Sequence, residues 1–305
     1  MKTVPAGLLK PLQHLTKLPA VREPPVTEEV FSSLEPFLRV FLACNSLVSV
    51  PSDLFELDSL KVLSLRNNKL SEIPPAIGKL TSLQEVNLSV NKLRYLPWEL
   101  LWLIKKGDLK HLIVRSNQLL QINEATTTTT TTINQWHVSP PSQDGTLRLQ
   151  EYDHPVPEEA WAPIHIATGP IRRFNTDGYR ITDPQPCPEG KKESAVPSLR
   201  EVALVSLNKS NFFEITPDSE IADFPEMMLR LLRYARDVKD AGGRRCSICH
   251  RDFVLPRTEW IEWWDCSTYE NGLKGPRASG EKLRPLPFQR LGCSLRCVPR
   301  EDKEE

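Results

Sequence analysis

The chain lacks net charge: 39 lysines and arginines are matched by 39 aspartates and glutamates. Bulk electrostatics therefore favour neither nucleic acid nor an acidic partner. It also lacks any run of 18 apolar residues, which predicts no membrane span and no membrane partner. The first 25 residues hold lysines and scattered leucines but neither a continuous apolar stretch nor a small-residue cleavage site, so they do not read as a secretory signal. Enzyme signatures are missing as well. There is no G-x-S-x-G, no H-E-x-x-H and no kinase set, and Gly78-Lys79 lacks the upstream glycine of a P-loop. The six histidines are scattered, and Asp153-His154 has no nucleophile that the sequence identifies. The expectation is a protein that is not an enzyme.

What is present is a repeat. Phe37, Val40, Leu42, Asn45 and Leu47 are followed by Leu60, Leu63, Leu65, Asn68 and Leu70, by Leu83, Val86, Leu88, Asn91 and Leu93, and by Leu109, Leu112, Val114, Asn117 and Leu119. The asparagines stand 23, 23 and 26 residues apart. The register L-x-x-L-x-L-x-x-N-x-L at such a period is that of the leucine-rich repeat. Alternate apolar residues such as Leu63 and Leu65 put one side of a short strand into a core, and successive strands stack into a parallel sheet. Asn45, Asn68, Asn91 and Asn117 are expected to form a structural ladder, their amides satisfying backbone groups where the chain leaves the sheet. One repeat cannot bury its apolar face alone, so the neighbours are needed.

The second half of each repeat reads Leu47-x-x-Val50-Pro51, Leu70-x-x-Ile73-Pro74 and Leu93-x-x-Leu96-Pro97. These residues resemble the intracellular, Ras-suppressor-like class of leucine-rich repeat. That resemblance implies a non-enzymatic interaction scaffold and specifies a fold better than a partner. The variable strand positions of such a repeat face the concave surface. They include Arg39, Phe41, Ser64, Arg66, Glu85, Asn87, His111 and Arg115, a mix of charge, amide and apolar groups that suits either a protein-binding face or a solvated sheet.

Around the repeats the composition changes. Residues 1–25, with five prolines, are expected to be a disordered tail, and Thr27 with Glu28 and Glu29 to open a helix that caps the repeat core. Trp98, Trp102 and the leucines between them extend the third repeat's convex segment into a helix-like run, which serves as core or as a docking face for the C-terminal half. Residues 26–122 are the repeat domain. Residues 123–195, with Thr126 to Thr132 and many prolines, read as a linker carrying islands such as Trp161 to Ile166, and Asn175-Thr176-Asp177-Gly178 as a turn. Residues 196–241 predict two helices. Ser198 caps one with a stripe of Leu199, Val202, Ala203 and Leu207, and the second carries Met227, Met228, Leu231, Leu232, Ala235 and Val238 before Gly242-Gly243.

Residues 242–300 form a cysteine-rich module ahead of an acidic tail, 301–305. Seven cysteines without a secretory signal indicate a reducing compartment, where close pairs are more often metal ligands than disulfides. Cys246-x-x-Cys249 and Cys293-x-x-x-Cys297 give two thiolates on each of two loops, the donor set of a closed, structural zinc site. His250 and Cys266 are spare ligands. A redox pair at Cys246 and Cys249 lacks the βαβ context it needs. Trp260, Trp263 and Trp264 are too bulky for a zinc module to bury unaided, so at least one is expected to pack against the helices or repeats, or to anchor a partner. Seven basic residues (Lys274, Arg277, Lys282, Arg284, Arg290, Arg296 and Arg300) make a strip that is either a solvated loop or a nucleic-acid contact. The cysteine pairs, the tryptophan segment and Gly292 to Pro299 after a repeat domain are similar to uncharacterised fungal leucine-rich repeat proteins, a resemblance that brings no activity with it.

Together these readings predict an α/β chain: a short four-repeat solenoid with parallel strands, followed by a small helical, zinc-stabilised module. The expected role is a protein-binding scaffold in the cytoplasm or nucleus, with nucleic-acid binding as the alternative.

Overall fold

The computed structural model describes residue 4 and residues 7–14, 37–122, 160–181, 195–270, 276–277 and 281–299. The repeats supply β1 (Leu38–Phe41), β2 (Leu60–Ser64) and β3 (Glu85–Asn87), then a two-residue strand β4 (Leu96–Pro97) that runs into helix α1 (Trp98–Lys106), and β5 (His111–Ile113). β1, β2, β3 and β5 form a parallel sheet in that order. Val40, Leu63, Val86 and Leu112 lie side by side across it, so every inward rung of the pattern meets its equivalent. Convex segments close the core from behind. The first two described repeats use short 3-10 turns, Ser52–Glu56 and Pro75–Lys79, and the third uses the nine-residue α1, which accommodates the longer spacing between Asn91 and Asn117.

The asparagines do more than close their own turns. The Asn68 Nδ2 donates to Leu65 O of its own repeat and to Leu42 O of the preceding one, both at 2.9 Å, while its Oδ1 accepts from Leu47 N at 3.0 Å. Asn91 repeats the arrangement with Leu88 O, Leu65 O and Leu70 N, and Asn117 with Val114 O, Leu88 O and Leu93 N. Each of these three amides therefore ties two repeats together through buried or part-buried bonds, whereas Asn45, in the first repeat, donates among the described residues only within its own turn, to Leu42 O and Ala43 O.

The tail expected over 1–25 is not wholly free. Val4 and Leu9 are buried in the repeat core, and Lys10–His14 is a 3-10 turn beside it, because the first strand leaves apolar surface for leucines to cover. The helix expected after Thr27 and the threonine run lie outside the described residues.

Beyond the repeats the architecture departs from a helical module. β6 (Ile164–Thr168) and β7 (Arg172–Arg173) come from the stretch read as linker, and the long β8 (Thr258–Asp265) and β9 (Pro285–Gly292) lie between the cysteine pairs. They form a second sheet in the order β4-β9-β8-β6, with β7 also on β8. The tryptophan segment is β8, as its aromatic and β-branched residues favour. β9 pairs in parallel with β4, Leu96 opposite Phe288, so the second sheet grows from the third repeat. Cys266, Leu286 and Phe288 belong to the same apolar core as the repeat leucines.

Five helices complete the described chain: α1, then α2 (Leu199–Lys209), α3 (Phe212–Ile215), α4 (Asp218–Ala222) and α5 (Glu226–Asp240). Ser198 caps α2 through its side chain, and Gly242 and Gly243 end α5 at φ +85° and +93°. The buried stripes differ from those expected. α2 buries Glu201 and Leu204 and leaves Leu199 exposed, because Glu201 turns inward to accept from the Val254 and Leu255 amides. On α5 the buried residues are Leu231, Leu232, Ala235 and Val238, while Met227 and Met228 project from its first turn into solvent. The 175–178 turn forms, with Asn175 Oδ1 accepting from Asp177 N and Tyr179 N.

The residue before each ladder asparagine (Cys44, Asn67, Val90 and Ser116) has φ between 55° and 58°. A β-branched side chain there is strained by about 1 kcal/mol or more, whereas asparagine adopts this region readily. Val90→Asn is therefore expected to raise the melting temperature, and the adjacent Asn91→Ala to lower it by the equivalent of about 3 kcal/mol through the loss of its four internal bonds. Thermal denaturation of the two variants checks both signs.

Candidate functional site

Two places carry the residues singled out above. The first is the thiol cluster. After Gly243 the chain makes a tight loop in which Cys246 N donates to Arg251 O and His250 N to Cys246 O, with His250 at φ +59°. Ser247 anchors this loop on β9 through its amide and hydroxyl, both donating to Leu291 O. The second pair leaves the end of β9. There Gly292 is obligatory, since a Cβ would come within 2.1 Å of Thr258 Oγ1 and 2.4 Å of Cys297 O. The β8–β9 hairpin thus brings together cysteines that are 44 residues and more apart in the sequence.

The Sγ atoms of Cys246, Cys249, Cys293 and Cys297 all lie within 4.8 Å of one another and can hold a metal ion. Cys249 is 3.4 Å from Cys293, Cys293 is 3.8 Å from Cys297, and Cys297 is 3.8 Å from Cys249. Hydrogen bonding with the Cys293 thiol, helped by nearby backbone amides against the cost of burial, lowers Cys246 to about 4; Cys293 is raised by the same contact. One thiolate therefore suppresses ionisation of the next unless a cation stands between them. Three of the four cysteines are buried and Cys249 is exposed. Cys266, expected as a spare ligand, sits in the repeat core, where burial pushes its thiol up, and is not part of the cluster. His250 is exposed and stays outside the four-sulfur group.

The second place is the concave sheet. Arg39, Phe41, Arg66 and Arg115 are exposed, and Glu85, Asn87 and His111 are half-buried. Ser64 is buried, because its short side chain lies in register between Phe41 and Asn87. The Asn87 Oδ1 accepts from both the amide and hydroxyl of Ser89, so part of its capacity is spent on the turn. Arg39 stacks 4.3 Å over the ring of Phe37. Glu270 bridges to Leu112 and covers the edge of β5.

The tryptophans of β8 and two residues of the basic strip, Arg277 and Arg290, make interior contacts. Trp260 and Trp263 are 1% exposed. The indoles of Trp260 and Trp264 donate to the two carboxylate oxygens of Glu262, at 2.8 and 3.0 Å. Arg290 donates to the same carboxylate at 2.9 Å and stacks 3.7 Å over Trp98 of α1. Arg277 pairs with buried Asp265 at 2.6 Å and donates to Ala162 O, which docks the 160–164 stretch. Two of the seven basic residues are thus committed to the interior, Lys282, Arg284 and Arg296 are exposed, and Lys274 and Arg300 lie outside the described residues. The Glu262–Arg290 pair was not foreseen from sequence. A lone glutamate inside a tryptophan run is the signal that could have found it.

Comparison with known proteins follows this geometry. Residues 39–93 match the family model described as leucine rich repeat. None of the curated proteins matches the chain. Among solved structures, a leucine-rich repeat protein of Leptospira interrogans is 32% identical over 32% of this chain and 24% of its own, with a TM-score of 0.27. The chain therefore spans about a quarter of that protein's length. Residues 39–93 are a leucine-rich repeat region.

Proposed function

We propose that the protein is a non-enzymatic scaffold that binds a protein partner on its concave repeat face and carries a structural zinc ion in its C-terminal module. Leucine-rich repeat domains generally mediate protein–protein interaction. The observation that carries the reading here is Phe41, a large aromatic 66% exposed on β1, with exposed Arg39 on the same strand and exposed Arg66 just past the end of β2. Aromatic and arginine side chains on a preformed surface are the usual anchors of an interface.

Zinc suits the thiol cluster. Zinc–sulfur bonds of about 2.3 Å in a tetrahedron place sulfurs about 3.8 Å apart, which agrees with the separations of Cys297 from Cys249 and Cys293. Four thiolates leave no open position for water, so the ion would be structural, and the reduced thiols it needs suit the cytoplasm or nucleus. The apolar cluster at the cysteines is small, Phe253 with partly buried Ile248 and Leu291, and the metal would add to the stability that this core supplies.

Two outcomes follow. Purified protein is expected to contain about one zinc per chain, to melt at lower temperature after strong chelation, and to keep its four cluster thiols, though not exposed Cys44, from alkylation until then; metal-free protein with a chelator-insensitive melt contradicts the zinc site. Replacing Arg66 and Arg115 together with alanine is expected to weaken partner capture at least about tenfold with an unchanged melt, each lost anchor counting for about 1 kcal/mol or more. Unchanged capture contradicts the concave face.

A further inference from the structure

A cleft of about 680 Å³ lies on the opposite side of the repeats from the concave sheet, between their convex segments and the loop that carries Cys246. That volume is within the range of small-molecule sites. Its apolar walls come from two directions: Trp98 and Trp102 on α1, and Val205, Val238 and Phe253 from the helices and the cysteine loop. One end is fixed, since Gly242 approaches Ala76 so closely that a Cβ would stand 2.7 Å away.

Arg244 lies deep in this cleft and also lines a smaller cavity that continues behind it. One of its donors is used, Nη1 to Val254 O at 3.2 Å, and its guanidinium stands 5.9 Å from the Phe253 ring centre. Among the described residues no carboxylate forms an ion pair with it. The other cations lining the cleft are answered: Lys79 by Glu56 at 2.8 Å, Lys209 and Arg245 by Asp252 at 3.2 and 3.3 Å, and Lys239 by Glu214 at 3.2 Å. Glu72 and Glu259 act on Arg244 only from longer range. Burial raises Glu99, also in the cleft, to about 7, so it opposes an incoming anion less than an ordinary carboxylate would. Asn208 adds a buried Oδ1 without a hydrogen-bond partner, an acceptor that a bound molecule or water can satisfy.

We propose that this cleft binds a small organic acid, its carboxylate held by the fork of Arg244 and its apolar body lying between the tryptophans of α1 and Phe253. A planar guanidinium matches a carboxylate in two-point geometry, and the unpaired charge supplies selectivity for an anion over a neutral molecule of the same shape. The site is separate from the concave face and does not depend on that face binding a protein.

The test is calorimetric titration of the full chain as purified with sodium 2-naphthoate and with 2-naphthalenemethanol. The acid is expected to bind with a stoichiometry of one and about tenfold or more tighter than the alcohol, a ratio worth about 1.4 kcal/mol. Arg244→Gln is expected to remove the acid's advantage and leave the alcohol unchanged. Because Arg244 also bonds Val254, a second variant guards against misfolding: Val205→Trp fills the cleft from α2 and is expected to weaken both probes. Equal binding of acid and alcohol, no binding of either at millimolar concentration, or an acid preference that survives Arg244→Gln overturns the proposal. So does full acid affinity in Val205→Trp.

Discussion

The structure depends on a buried ion pair placed where its two halves meet. Glu262 on β8 and Arg290 on β9 are 4% and 12% exposed at the side chain, and neither charge has access to bulk water worth relying on. Their pairing is completed by two indole donors on the carboxylate, by Ser247 O accepting from Arg290 Nη2, and by the face of Trp98 beneath the guanidinium. A buried pair of this kind adds little over a well-packed apolar substitute, but removing one partner strands the other charge at a cost of about 3–5 kcal/mol. Its value is specificity. The observed docking of the hairpin on α1 satisfies both charges.

That docking makes a single core from parts that the sequence separates. β9 adds to β4, its Phe288 joins the repeat leucines, and Trp263 packs on Ile122 and donates to Leu120 O at the end of the repeats. A solenoid exposes an apolar end that needs covering, and here the C-terminal half covers it. The same hairpin sets the ends from which the cysteine loops spring, so the thiol cluster and the cleft at Arg244 both inherit their geometry from β8 and β9. The second buried pair, Asp265 with Arg277, extends the arrangement to β6 by holding residues 160–164 in place.

The local features were legible. The inward rungs, the asparagine ladder and the turn at Asn175 are short-range patterns whose physics lies within one repeat or one turn, and the wider spacing before Asn117 already announces a longer convex segment. The two cysteine pairs declare a four-thiol cluster by spacing alone. What escaped was long-range. β6 and β7 are too short to show a period, and they exist because β8 offers them an edge. The stripe on α2 was misread because hydrophobicity favours Leu199, whereas Glu201 is drawn inward by two amides 53 and 54 residues away. The tryptophan run gave no clue to its strand partner, since β9 lies beyond a loop that no local rule spans.

The central claim is that repeats and C-terminal half fold as one unit. The direct measurement is equilibrium denaturation of the full chain followed by tryptophan fluorescence, which reports on Trp98, Trp260, Trp263 and Trp264 at the junction, and in parallel by far-ultraviolet circular dichroism, which reports on the backbone of both halves. A shared core predicts one transition with coincident midpoints. Two separable transitions, with the repeats outlasting the loss of the tryptophan signal, would contradict it.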